Sequence, residues 1–343
     1  MVSLISLLRE IYLDEGGNVF GTTSSIKKEY IKPTLEKFVA ELKKIYPKVK
    51  FDFSTLGSVG KKDESGDIDL GFSVDHFIKD GEPLLSDWNI NSDEFNATYE
   101  KIRKRAKSAT EAQSKLRAML ELVSTNMEEK SEFMETDNKS TANGSIFCNF
   151  PQFNENGEQI EDKAVQIDIN VGNIDWLNFS YYSNTYKDNV KGLHRTQLMV
   201  ALFQALDMTF SHGTGVKLKS TGEVVATSPQ EALQALNKGF NINVTQDILN
   251  DYFELMDYIK KNLPEDKLNR VFDTYLRILD STRADIPNDL QDYWIKNQDR
   301  LGLKGKFLPD NSALMPNLES APDENANLLC SCGVKSENSA ISV

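Results

Sequence analysis

The segment LGSVGKKDESGDIDLGF, residues 56–72, constrains this chain more than any other. Its end alternates strictly, and alternation with period two places successive side chains on opposite faces of a strand. Asp67 and Asp69 therefore share one face, while Ile68 points into a core. Two carboxylates on one strand face repel unless a cation lies between them. Upstream, Gly57 permits close approach of an anion to the backbone, and Ser58 offers a hydroxyl and an N–H. Lys61 and Lys62 lie on the connecting loop, where solvated lysines are common. A P-loop is excluded, because Gly57 and Gly60 are too close, Lys62 stands where Ser or Thr is required, and no helix follows. An EF-hand is excluded because Asp63, Asp67 and Asp69 lack its spacing and its closing Glu.

The flanking sequence supplies elements around this corner. Residues 24–46 carry helical spacing through Ile31, Leu35, Phe38, Val39, Leu42 and Ile45, with Ser24 or Ser25 as N-cap. Pro33 kinks that helix or marks its true start, and Pro47 ends it. Val49, Phe51 and Phe53 alternate as a strand that ends at Gly57-Ser58. Farther on, SIFCNFPQF, NENGE and AVQIDINVG read as a hairpin turning at Asn156-Gly157. Val165, Ile167, Ile169 and Val171 face one way; Gln166, Asp168 and Asn170 face the other. Asp168 is the downstream acid set in strong strand alternation. Asp175 is a weaker competitor, lying past Gly172.

Helix, strand ending in Gly-Ser, loop, Asp-Ile-Asp, then a later strand with a third acid: this order resembles the DNA polymerase beta-like nucleotidyltransferase superfamily. The likeness covers residues 25–75 and 160–172. The GGNVF start together with residues 57–72 resembles uncharacterised phage-encoded members. The resemblance implies an α+β fold, a small mixed sheet with flanking helices joined to a helical C-terminal domain. It implies transfer of a nucleoside monophosphate from an NTP to an acceptor hydroxyl, with Asp67, Asp69 and Asp168 as catalytic residues and as ligands of Mg²⁺ or Mn²⁺. Gly57 and Ser58 would hold the β and γ phosphates, with Lys61 and Lys62 beside them. A cation from the helical half is also implied; Lys191, His194 and Arg195, at the start of GLHRTQLMVALF, are the candidates, and Lys217 and Lys219 the second choice.

Partners are less constrained. A net charge of −13 lacks the footprint of a non-specific nucleic-acid binder, although divalent ions screen carboxylates from phosphate. KIRKRAKSATEAQSKLR is the one concentrated basic segment, and Arg103, Lys107 and Arg117 are candidates for a stripe along a nucleic-acid backbone; a solvated helix face is the commoner outcome. Tyr181, Tyr182 and Tyr186 are candidates for stacking on a base, though such aromatics more often pack. RNA, protein and small-molecule acceptors all stay open. Cys148, Cys330 and Cys332 form neither a disulfide framework nor a zinc pattern, so a cytoplasmic setting is expected. No apolar run reaches membrane-spanning length, and the N-terminus reads as an amphipathic helix. The expected organisation is a catalytic domain at 1–189 with a helical insertion at 93–128, a helical domain at 190–309, and a disordered tail at 310–343. Two other functions fit the same residues: a nucleotide-binding module that transfers nothing, and an interaction protein whose acidic hairpin is incidental.

Overall fold

The alternating segments become the centre of the main sheet in a computed structural model that describes residues 19–106, 109–183 and 190–303. Two short antiparallel clips lie outside that sheet: β1 (Ile26–Lys27) with β3 (Glu64–Ser65), and β5 (Ile78–Lys79) with β6 (Glu82–Pro83). The main sheet has five strands in the order β2 (Ser54–Thr55), β4 (Asp67–Ser73), β9 (Gln159–Gly172), β8 (Ser145–Phe153) and β7 (Glu135–Asp137). β4 and β9 run parallel, and the other pairings are antiparallel. The β8–β9 hairpin turns where Asn156-Gly157 predicts, with Gly157 at φ 75°.

One sheet face is apolar because every second residue is. Ile68, Leu70 and Phe72 of β4 join Val165, Ile167, Ile169 and Val171 of β9 and Ile146, Cys148 and Phe150 of β8. Against them pack Phe38 and Leu42 of α1 (Lys28–Ile45) and Ala118, Leu120 and Val123 of α3 (Glu111–Lys130). α2 (Ser92–Arg105) lies on α3 and adds Phe95 and Ile102. Each large apolar side chain fully buried here contributes about 1.5–3 kcal/mol.

Several local expectations change. Pro33 lies inside α1, which starts five residues earlier. Ser24 and Ser25 do not cap it; Lys27 is the N-cap position, and its side chain makes no capping bond. The β1–β3 clip takes the residues just before the helix, and Ser24 N–H instead donates to the Ala164 carbonyl at 2.9 Å. Of the strand expected from Val49 to Gly57-Ser58, only Ser54–Thr55 pairs, on the sheet edge. Residues 135–137 form edge strand β7.

A second core starts at Trp176 in α4 (Ile174–Ser180) and runs to Leu301. Its axis is α5 (Gly192–Ala205), apolar on nearly all sides and buried accordingly. α6 (Pro229–Phe240), α7 (Gln246–Asn250), α8 (Tyr252–Asn262), α9 (Glu265–Thr282) and α10 (Gln291–Leu301) complete it. Ser228 and Glu231 form a capping box at the start of α6. A region read as helical also holds a small antiparallel sheet, β10 (Met208–Ser211), β11 (Gly215–Leu218) and β12 (Val224–Ala226). Strands of three and four residues are too short to show a period.

The fold is α+β, with ten α-helices among the described residues, all of which fall in one compact unit, Met1–Phe307. No helix among the described residues is long and apolar enough to cross a membrane. The N-terminal amphipathic segment, Lys107, Tyr186 and the tail with Cys330 and Cys332 lie outside the described residues.

Candidate active site

The three aspartates meet on the polar face of the main sheet. In the parallel β4–β9 pair, Asp69 is the direct register partner of Asp168, and Asp67 that of Gln166. Register partners on neighbouring strands point to the same face, about 4.8 Å apart at the backbone. Asp168 is only 7% exposed. Burial first, then the carboxylates of Asp69 and Asp67, push its carboxyl well above the usual carboxylate range; a hydrogen bond from Gln166 acts in the opposite direction. Gln166 Nε2 donates to Asp168 Oδ1 at 2.9 Å. On the other side, Asn170 Nδ2 donates to the Asp168 carbonyl at 3.3 Å, while Asn170 Oδ1 accepts from Ser145 Oγ at 2.8 Å and Tyr181 Oη at 3.1 Å.

The glycine-serine turn is built against this face. Leu56 N–H donates to the Asp69 carbonyl at 2.9 Å, and the Ser58 carbonyl accepts from Lys61 N–H at 3.0 Å. Gly57 has φ +57°, and a Cβ there would lie 3.2 Å from Asp69 Oδ2. The position thus favours glycine for two reasons: its left-handed backbone and the carboxylate beside it.

The two loop lysines differ. Lys61 Nζ donates to the Ser183 carbonyl at 2.6 Å and lies 5.3 Å from the centre of the Tyr182 ring, so it clasps the loop to residues 182–183. Burial lowers its pKa. Burial lowers the pKa of Lys62, the charge of Lys191 lowers it further, and the charge of Asp67 acts in the opposite direction. Lys191 Nζ also reaches Asp285 Oδ2 at 3.0 Å.

The remaining cations divide sharply. Arg195 is 2% exposed, and its guanidinium is committed inside the second core. Nε donates to the Leu249 carbonyl at 2.8 Å, one terminal nitrogen to the Phe179 carbonyl at 2.7 Å, and the other to Asn250 Oδ1 at 3.1 Å. This hydrogen-bonding corrects the expectation that Arg195 faces a phosphate. His194 is held likewise: its Nδ1 accepts from Lys191 N–H at 2.7 Å, and its Nε2 pairs with the Asp285 carbonyl at 2.9 Å. Lys217 lies in β11, and Lys219 Nζ reaches the Gln204 carbonyl at 3.5 Å.

Residues 101–105 and 111–117 of the basic segment lie in α2 and α3, and α3 covers the apolar face, so these residues and the aspartates lie on opposite sides of the sheet. Arg117 Nε pairs with Glu121 at 3.1 Å, and Arg103 donates to the Ala109 carbonyl at 3.1 Å. Tyr181 is engaged by Asn170 and packs on His212 at 4.2 Å between ring centres. Tyr182 has Lys61 on its ring at 5.3 Å and Arg195 at 5.9 Å. Sequence reasoning placed Gln166 and Asn170 on the acidic face but gave them no role. The signal was there, since polar residues alternating through a strand as apolar as β9 need buried partners.

Among the described residues no three His, Cys, Asp or Glu side chains form a ready-made metal cage. Mg²⁺ is usually held by one or two carboxylates with waters and substrate phosphates filling the remaining positions. Hard carboxylate oxygens on a face where the carboxylates repel one another fit such an ion. No protein-family model matches the chain, and no curated protein matches it.

Proposed function

We propose that the protein is a metal-dependent nucleotidyltransferase on a nucleotidyltransferase-like fold. An acceptor hydroxyl oxygen bonds to the α-phosphorus of an NTP, the α–β bridging bond breaks, and pyrophosphate leaves. The observation that supports this reading best is the β4–β9 register, which sets Asp69 beside Asp168 with Asp67 on the same face. Asp67, Asp69 and Asp168 would hold Mg²⁺ or Mn²⁺. When bound, these ions stabilise negative charge on the attacking and leaving oxygens. Asp168, the register partner of Asp69, takes the acceptor's proton. The Gly57-Ser58 turn offers its backbone to the β and γ phosphates. Lys62, on the loop that leads into Asp67, offsets charge on pyrophosphate. Lys61 and Arg195 are structural in this scheme, because their nitrogens already serve carbonyls.

The acceptor is RNA, a protein or a small molecule, and the setting is cytoplasmic. The test is label transfer from each of four α-³²P-NTPs with Mg²⁺ or Mn²⁺, into total RNA, protein extract or buffer, for the parent and for Asp67→Ala/Asp69→Ala. Transfer lost in the double variant supports the enzyme, and the labelled fraction identifies the acceptor class. Metal-dependent NTP binding without transfer supports the silent module. If the parent neither binds nor transfers, the reading fails.

A further inference from the structure

We infer that Gln166 is a positioning residue for Asp168, held in its working orientation by residues 19–25. The inference rests on the metal-binding reading of the acidic face. Gln166 is fully buried and lies opposite Asp67 in the β4–β9 register. Its Nε2 donates to Asp168 Oδ1 at 2.9 Å, and its Oε1 accepts from Val19 N–H at 2.9 Å. Both ends of one amide are therefore used. Reversing it would set Oε1 against a carboxylate oxygen and the NH₂ group against the Val19 N–H, two repulsive contacts in place of two bonds. The Val19 N–H thus selects which end of Gln166 meets Asp168.

The segment that delivers Val19 is itself anchored on the strands next to the site. Asn149 Nδ2 of β8 donates to Thr22 Oγ1 at 3.1 Å. Ser24 N–H donates to the Ala164 carbonyl of β9 at 2.9 Å, and Gln152 Nε2 of β8 donates to the Ser24 and Ser25 carbonyls, each at 3.2 Å. The β1–β3 clip then joins the segment to the loop leading into Asp67. An amide donated to one carboxylate oxygen fixes the rotation of Asp168 and leaves Oδ2 for a cation. Partners of this kind behind a metal-binding side chain change metal affinity about 10–100-fold when removed. A buried glutamine that only satisfies its neighbours would affect melting and leave cation affinity alone.

The experiment titrates Mn²⁺ into the full chain by calorimetry, comparing the parent with Gln166→Met and Asp168→Asn and recording each melt. Gln166→Met is expected to weaken Mn²⁺ binding about tenfold or more while still melting cooperatively. Affinity within twofold of the parent, with Asp168→Asn clearly weakened, would overturn the positioning role and leave the acidic-face reading standing. A parent that binds no Mn²⁺, or an Asp168→Asn protein that binds as tightly as the parent, sinks that reading and the inference together. Should Gln166→Met fail to fold, the unaltered protein decides. Its Gln166 side-chain amide resonances are expected to shift over the same Mg²⁺ range as binding, and resonances that stay put overturn the proposal.

Discussion

Asp168 and Arg195 are both buried charges, one on the main sheet and one in the second core, and their surroundings are opposite. Arg195 meets an oxygen in each direction its guanidinium points: Leu249, Phe179 and Asn250. Asp168 meets one amide, from Gln166, and two charges of its own sign. Burial alone therefore does not mark a functional charge. The protein's own oxygens stabilise Arg195, and burial still leaves its pKa at about 9, so it stays protonated near neutral pH. The like-charged field at Asp168 is relieved by a cation or a proton.

The largest effect expected from this contrast is on Arg195. Arg195→Met strands the Leu249 and Phe179 carbonyls, which costs roughly 3 kcal/mol; thermal melting should fall by roughly 6 °C. An unchanged melting temperature would break the comparison and return Arg195 to the candidate site. The second effect is one of pH. Burial pushes the His212 imidazole down to about 4, against about 6.5 in an unfolded chain. A histidine kept neutral by the fold contributes stability above pH ~6.5 that is lost as pH falls toward 4. Between pH 7 and 5 the loss is up to about 2 kcal/mol, and His212→Phe should flatten it in denaturant titrations. An equal slope in the variant would assign the pH response elsewhere.

Asp168 has the opposite sign. Its folded pKa is raised, so its contribution is fully favourable below about pH 3.9 and is lost as pH rises through the raised value. Asp168→Asn should therefore melt about 2–4 °C above the parent at pH 7 without divalent ions, and added Mn²⁺ should stabilise the parent more than the variant. A lower melting temperature for the variant would show the carboxylate to be well satisfied as it stands. The smallest effect is at the turn. Gly57→Ala forces a side chain into φ +57° beside Asp69, at about 1 kcal/mol. Denaturant midpoints measure it, and a neutral result would mean the turn shifts freely.

How much of this was legible in the sequence follows from how local each signal is. Period-two alternation placed Asp67, Asp69 and Asp168 on strands, and the Asn-Gly turn set the β8–β9 hairpin, because both depend on near neighbours in sequence. The parallel pairing that brings Asp69 to Asp168 spans nearly a hundred residues, and the family resemblance, rather than the pattern, supplied that expectation. Arg195 and Lys191 look equivalent as cations near a helix start. What separates them is contact with Leu249, Asn250 and Asp285, residues far along the chain. Gly57 was readable as a place for close approach, but that its neighbour is Asp69 was not. Edge strand β7 and the β10–β12 sheet are too short to carry a period of their own.

The Lys61 clasp has a consequence for motion. One ammonium joins the loop before β4 to the Ser183 carbonyl, just past α4, the first helix of the second core. A loop tied this way opens only when its tether does. Amide exchange at residues 58–62 and at 181–183 should then report one shared opening event, with a common protection factor that Lys61→Met would split in two.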